Sequence, residues 1–222
     1  MTDVTAGIDR ERAVAIIERL LDRANGPLPV PLREIWIAGD IAVGLDPVPR
    51  VDLYLTKDLL FKDSPDREAE FEERYDVSGV GKSVRAAWAE ANPELLRADD
   101  SGYVDPAACL VAHLLPNGEE LPFRVTVSNT GFERAVTERL AKFDAGADTR
   151  PLDPRAALLW ADEGDGGTVS DSARQKLRDN EFVFATLERA LAMVDEESDA
   201  EAAAEAIRAL DVSERVVESD VV

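Results

Sequence analysis

The stretch "REIWIAGDIAVGLDPVPRVDLYLT", residues 33–56, decides how the fold is read. Its first part, "REIWIAG" (33–39), is a short run rich in β-favouring apolar residues and reads as a buried strand. "RVDLYLT" (50–56) reads as a second strand, with Val51, Leu53 and Leu55 alternating with Asp52, Tyr54 and Thr56. The segment between them, "DIAVGLDPVP", carries one Gly and two Pro and is too long for a tight hairpin. Ahead of the pair, residues 9–24 predict an amphipathic helix. Asp9 is placed to cap it, and Val14, Ile16, Ile17, Leu20 and Leu21 form its apolar stripe. "NGPLPVP" (25–31) then breaks the chain.

Downstream, "DREAEFEERY" (66–75) and residues 83–91 read as short helices, the second with Val84, Ala87, Trp88 and Ala91 on one face. "DPAACLVAHLL" (105–115) opens with an Asp cap and Pro at the first helical position. "LPFRVTVSN" (121–129) is a third strand. "TGFERAVTERLAKF" (130–143) is a helix that Thr130 and Glu133 could open as a capping box. After residue 150 strand signals stop: "DPRAALLWAD" repeats the Asp-Pro helix start, and "DEGDGGTVSD" (162–171) is a polar loop. Helices follow near 171–180, 185–196 and 199–210, and the chain beyond Val212 is expected to fray.

Composition bounds the rest. With 222 residues and a hydrophobic fraction of 45%, the chain can bury a sizeable core. Its 46 acidic residues against 25 basic ones give a net charge of −21. Only five of the basic residues are lysines, the others being arginines. Such a charge repels itself in dilute buffer but is screened at molar salt, where the Debye length is about 3 Å. Abundant Asp and Glu, few Lys and plentiful Ala and Val resemble cytosolic proteins of salt-loving archaea. The acidity therefore says little about partners, and duplex nucleic acid is disfavoured because its affinity comes largely from phosphate neutralisation. Cys109 is the sole cysteine and His113 the sole histidine, so no disulfide framework or cysteine-rich zinc site can form within one chain. The first residues lack a signal-peptide pattern, and no apolar run approaches the ~20 residues that span a bilayer. The expectation is a cytoplasmic protein without a membrane partner.

"DVSGVGKSVRAAW" (76–88) ends a Gly-Lys-Ser that invites comparison with a phosphate-binding loop. The motif needs Gly at position 76, where this chain has Asp76, and a strand before it, where this chain has an acidic helical pattern. The reading is a glycine turn entering a helix, with Lys82 and Arg85 kept as candidates for looser anion binding.

The element order resembles the nucleotidyltransferase fold over residues 9–143. That family carries Gly-Ser after its first strand, small residues in the turn, and Asp-x-Asp opening the second strand. Here Gly39-Asp40 stands for Gly-Ser, Ala42 and Gly44 match the small residues, and Arg50-Val51-Asp52 stands for Asp-x-Asp. The family's chemistry needs clustered carboxylates to hold Mg²⁺ against triphosphate oxygens. Arg50 replaces the first, and "LPFRVTV" offers no acid for the third. The wording "IWIAGDIAVGLDP" and "GVGKSVRAAWAEANPE" also resembles an uncharacterised family of halophilic archaeal proteins, which implies no activity.

The expected architecture is α/β (α+β): a small mixed sheet of about three strands flanked by helices, nucleotidyltransferase-like, with a helical C-terminal extension. Residues 1–150 would form the core, 151–211 the extension packed on it, and 212–222 a frayed tail. The expected function is a salt-adapted, non-catalytic binding or regulatory module. Its candidate ligand site is Gly39, Asp40, Gly44, Arg50, Asp52, Lys82 and Arg85, with a small anionic ligand or a protein as partner and no cofactor. Two alternatives stand beside it. One is a nucleotidyl or phosphoryl transferase in which Asp40 or Asp46 joins Asp52 on Mg²⁺; the other is a protein–protein adaptor using the C-terminal helices. Cys109 and His113, one helical turn apart, read as a packed pair.

Overall fold

The computed structural model describes residues 7–26, 28, 30–57, 73, 77–78, 85–86, 105–115, 122–162, 167–210 and 216–220. Helix α1 (Arg10–Ala24) starts where the sequence places it, with the Asp9 carboxylate accepting from the Arg12 amide. Its apolar stripe is buried, Ile17, Leu20 and Leu21 completely. Strands β1 (Leu32–Ala38), β2 (Val51–Lys57) and β5 (Phe123–Ser128) lie side by side in one sheet, β1 antiparallel to β2 and β2 parallel to β5. Helix α2 (Pro106–Leu114) is capped by Asp105, and α3 (Phe132–Asp144) follows β5. Gly131 rather than Thr130 is the cap residue of α3, so the capping box is not made. The Thr130 backbone is instead engaged by the Tyr54 hydroxyl and the Ser128 side chain.

Among the described residues the sheet has six strands, not about three: the order is β7-β6-β1-β2-β5-β8. Two corrections account for much of the difference. "AALLWA" is strand β6 (Ala156–Ala161), antiparallel to β1, where the sequence reading expected a helix. A six-residue apolar run fits a buried strand and a buried helix equally, and pairing on both edges decides it. Asp153 caps nothing, because its carboxylate accepts from the Arg155 amide and guanidinium. The expected frayed tail is strand β8 (Val216–Asp220), parallel to β5 at the sheet edge. Strand β7 (Thr168–Val169) extends the other edge. Gly167 packs against the Trp160 ring so closely that a Cβ there would stand 1.7 Å from a ring atom.

Beyond residue 150 the chain also forms α4 (Asp171–Asp179), α5 (Leu187–Val194) and α6 (Ala200–Arg208), as the helical patterns predict. A separate two-stranded ladder joins β3 (Val77–Ser78) to β4 (Arg85–Ala86), so Arg85 and Ala86 are not helical. Two Val-bearing segments around a glycine-rich stretch read better as a hairpin than as a nine-residue helix. The remainder of the 83–91 helix, most of 66–75 and Trp88 lie outside the described residues.

Side chains alternate across the sheet, so its two faces differ. One face carries Ile35, Ile37, Val51, Leu53, Leu55, Val125, Val127 and Leu159 against α1, α2 and Leu177 of α4, the main core. The other carries Trp36, Ala38 and Tyr54 against Phe132 and Val136 of α3, a smaller apolar cluster. Polar residues share that second face with it. Leu140 joins α5 and α6 in a third cluster.

Leu159 is fully buried on the main-core face. Leu159→Ala is expected to lower the unfolding free energy by about 2–5 kcal/mol in urea titrations. A loss below about 1 kcal/mol would contradict the placing of β6.

Candidate functional site

Strands β2, β5, β6 and β8 run in one direction and β1 in the other, so β2, β5 and β6 begin at the edge where β1 ends. Ala38, Asp52 and Arg124 are register neighbours there and project to the second face. Just before β2, the Arg50 Nε donates to both Asp52 oxygens at 2.9 Å. Its Nη1 reaches across to α6, donating to the Leu210 carbonyl at 2.8 Å and the Ile207 carbonyl at 3.4 Å. Just before β6, Asp153 is only 6% exposed. It accepts from the Arg155 amide at 2.9 Å, Nε at 3.0 Å and Nη2 at 2.6 Å.

Gly39 sits between these two pairs. Its φ of +68° is a conformation that favours glycine, and a Cβ there would stand 2.8 Å from Asp52 Oδ2 and 3.5 Å from Asp153 Oδ2. Asp52, Tyr54, Arg124, Thr126, Phe132 and Asp153 are among the residues around a cavity of about 20 Å³. That is room for one water-sized species.

The charges nearly balance: Asp40, Asp52 and Asp153 against Arg50, Arg124 and Arg155. Burial pushes the Asp52 carboxyl up to about 6; the Arg50 and Arg124 charges and the Arg50 hydrogen bond oppose it, and Asp153 adds to it. Burial raises Asp40 too, opposed by Arg50 and Arg155 and reinforced by Asp153. Burial works against the Arg155 charge, but the Asp153 hydrogen bond and the charges of Asp153, Asp40 and Glu188 outweigh it and raise its pKa.

Of the residues the sequence singled out, Gly39, Asp40, Arg50 and Asp52 come together. Gly44 lies elsewhere, against Asn180 at the end of α4, where its carbonyl accepts from the Asn180 amide. Arg85 lies in β4, paired in register with Ser78, and Lys82 is outside the described residues. Asp46 turns to the start of α1, accepting from the Arg10 amide at 3.3 Å. Among the described residues no three His, Cys, Asp or Glu side chains are grouped as a metal site would need. Cys109 is buried in the main core, its thiol pushed up to about 12 by burial, with the Asp105 charge adding.

Sequence reasoning missed Asp153 and Arg155, whose Asp-Pro context looks like a helix start. It also missed Glu218, which lies in the expected tail. Glu218 takes two hydrogen bonds from Arg124, at 3.0 and 3.1 Å, and one from Arg139 of α3 at 3.5 Å. "RVVESD" (215–220) shows no apolar–polar alternation, and the adjacent valines were the sole local β signal in it.

The model of a family of unknown function, DUF7095, matches residues 9–222. The chain belongs to that family. DUF7095 membership spans α1 through β8 and therefore includes every residue of the arginine–aspartate cluster. No curated protein and no solved structure matches the chain. No helix among the described residues is long and apolar enough to cross a membrane.

Two outcomes test the site's physics. Gly39→Ala is expected to cost about 1–3 kcal/mol, from the positive φ and the contact with Asp52. A cost under about 0.5 kcal/mol in urea unfolding would mean the two carboxylates do not crowd this glycine. The second concerns pH. The folded-state pKa of Asp52, about 6, lies above the unfolded value. Its stabilising contribution is therefore whole below about pH 4 and is lost as pH rises through 6. Relative to Asp52→Asn, the wild type should lose roughly 3 kcal/mol between about pH 4 and 7. Unfolding profiles of the two that run parallel with pH would refute this.

Proposed function

We propose that this chain is a salt-adapted, non-catalytic binding or regulatory module on a degenerate nucleotidyltransferase-like core, with a small anionic ligand. The observation that carries the reading is the Arg50–Asp52 pair: both carboxylate oxygens accept from one guanidinium nitrogen at 2.9 Å. Mg²⁺ demands near-octahedral oxygen ligands at about 2.0–2.1 Å. To reach Asp52 it would have to displace Arg50, and with it the hydrogen bonds that hold Leu210 and Ile207 of the α6 segment. Breaking such a buried pair leaves an uncompensated charge, at a cost of about 3–5 kcal/mol.

The nucleotidyltransferase likeness is supported by the order α1, β1, turn, β2 and by the adjacency of β1, β2 and β5. A glycine of positive φ follows the first strand, and an aspartate lies near the start of the second. The site differs from a metal-dependent transferase in charge: arginines lie where that chemistry needs carboxylates. With its carboxylates paired to arginines, the site favours binding over metal-assisted activation.

Calorimetric titration with a nucleoside triphosphate, with and without Mg²⁺, in concentrated KCl tests the reading. The expected result is no Mg²⁺-dependent binding. Micromolar, Mg²⁺-dependent binding that disappears in Asp52→Ala would overturn it.

A further inference from the structure

The terminal strand β8 is held in an unusual way. Among the described residues it pairs with β5 alone, at the end of the sheet order. Its two valines bury little, Val216 being 41% and Val217 39% exposed. Besides its backbone ladder and its packing against α2, the strand is held by Glu218. The Glu218 carboxylate meets Arg124 side-on, Oε1 accepting from Nε at 3.0 Å and Oε2 from Nη2 at 3.1 Å. Arg139 Nη1 of α3 lies 3.5 Å from Oε2. The arginines are deeply buried, with side chains 5% and 10% exposed, whereas the Glu218 side chain is 29% exposed. Burial works against the Glu218 charge, but the Arg124 hydrogen bonds and the Arg124 and Arg139 charges outweigh it and hold the carboxyl below its usual range.

The arrangement is a built anion site: two guanidiniums from β5 and α3 close on one pair of oxygens from the strand beside β5. Removing an anion from a buried guanidinium is costly, so departure of Glu218 favours a replacement oxyanion. The side-on fork of Arg124 accepts any group presenting two suitably spaced oxygens, which carboxylates and phosphates share.

We propose that Arg124 and Arg139 form an oxyanion-binding site that Glu218 occupies in cis, and that a phosphate or carboxylate ligand enters as β8 detaches. The ligand replaces the Glu218 oxygens one for one, and the released strand reports the binding event. This rests on the reading of the chain as a binding module and gives its anionic ligand a place. Its contacts are made by Arg124 and Arg139 rather than by Asp52, though Asp52 neighbours Arg124, so the two readings separate by variant: Mg²⁺-dependent triphosphate binding that Asp52→Ala abolishes and Arg124→Gln leaves intact sinks that reading and leaves this site standing.

The test uses the full chain in concentrated KCl with inorganic phosphate as probe and acetate in a parallel arm. Hydrogen exchange of the wild type is expected to show the Val216–Asp220 amides losing protection as phosphate or acetate is added, with α1 and β1 unchanged. Calorimetry is expected to show Glu218→Gln binding the effective anion at least tenfold more tightly than the wild type, and Arg124→Gln together with Glu218→Gln cancelling the gain. A response to phosphate alone or to acetate alone assigns the ligand class. Unchanged β8 protection with both anions would overturn the proposal without any variant being needed. So would a Glu218→Gln protein that binds neither anion more tightly than the wild type.

Discussion

Arg50 answers two demands at once. Asp52 puts a carboxylate at the crowded end of β2, and the Ile207 and Leu210 carbonyls lie at the end of α6 and just beyond it. One guanidinium serves both, with Nε on the Asp52 oxygens and Nη1 on the Leu210 and Ile207 carbonyls. The second face of the sheet and the C-terminal helices are therefore joined through a residue adjoining β2. The same device recurs elsewhere. Arg10 donates to the Ile41 carbonyl in the turn after β1 and to the Leu177 carbonyl in the last turns of α4. Arg23 donates to the Leu114 carbonyl at the end of α2. A planar, multiply donating guanidinium can close two carbonyls or a carbonyl and a carboxylate together, which a lysine ammonium does with less geometric control. The preference for arginine thus has a structural use as well as any adaptation to solvent.

Division of labour between the faces follows from the strands. Those that place Val51, Leu53 and Leu55 on one side must place Asp52, Tyr54 and Thr56 on the other. The first face is closed mainly by aliphatic packing, with Phe123 and Trp160 in the same cluster. The second combines an aromatic group, Phe132 stacked on Trp36 at 4.9 Å and edge-on to Tyr54 at 5.3 Å, with hydrogen-bonded polar side chains. Glu34 takes the Trp36 indole N–H and the Thr56 hydroxyl at the opposite end of the strands from Asp52. Polar groups on this face are costly to bury unless paired, and the paired ones define where an external ligand could compete.

Legibility in the sequence tracked the range of the deciding interaction. Helix α1, helix α2 and strand β2 were readable because a cap, a proline and a strict alternation are local signals. Residues Gly39, Asp40, Arg50 and Asp52 were readable as a group because the strand–turn–strand order folds them back on one another. Strand β6 was not, since "AALLWA" has no alternation to distinguish a strand and its identity depends on β1, more than a hundred residues upstream. Strand β8 was hidden for the same reason: its distinguishing side-chain contact joins Glu218 to Arg124, 94 residues earlier. Gly44, with φ +87°, lies against Asn180 at the end of α4, a contact with no local signal in the sequence.

The charge distribution sets long-range repulsion against short-range attraction. A chain of net charge −21 repels small anions at low ionic strength, over distances of the order of a Debye length, ~30 Å at 0.01 M. Inside that field the fold gathers Arg50, Arg124, Arg139 and Arg155, with side chains 7%, 5%, 10% and 15% exposed. At molar salt the long-range repulsion shrinks to about 3 Å of reach, while pairs shielded from solvent are screened far less. The balance between global repulsion and local attraction therefore shifts towards attraction as salt rises. Under concentrated salt the surface charge keeps the chain solvated, while the buried arginines keep their short-range partners Asp52, Asp153 and Glu218.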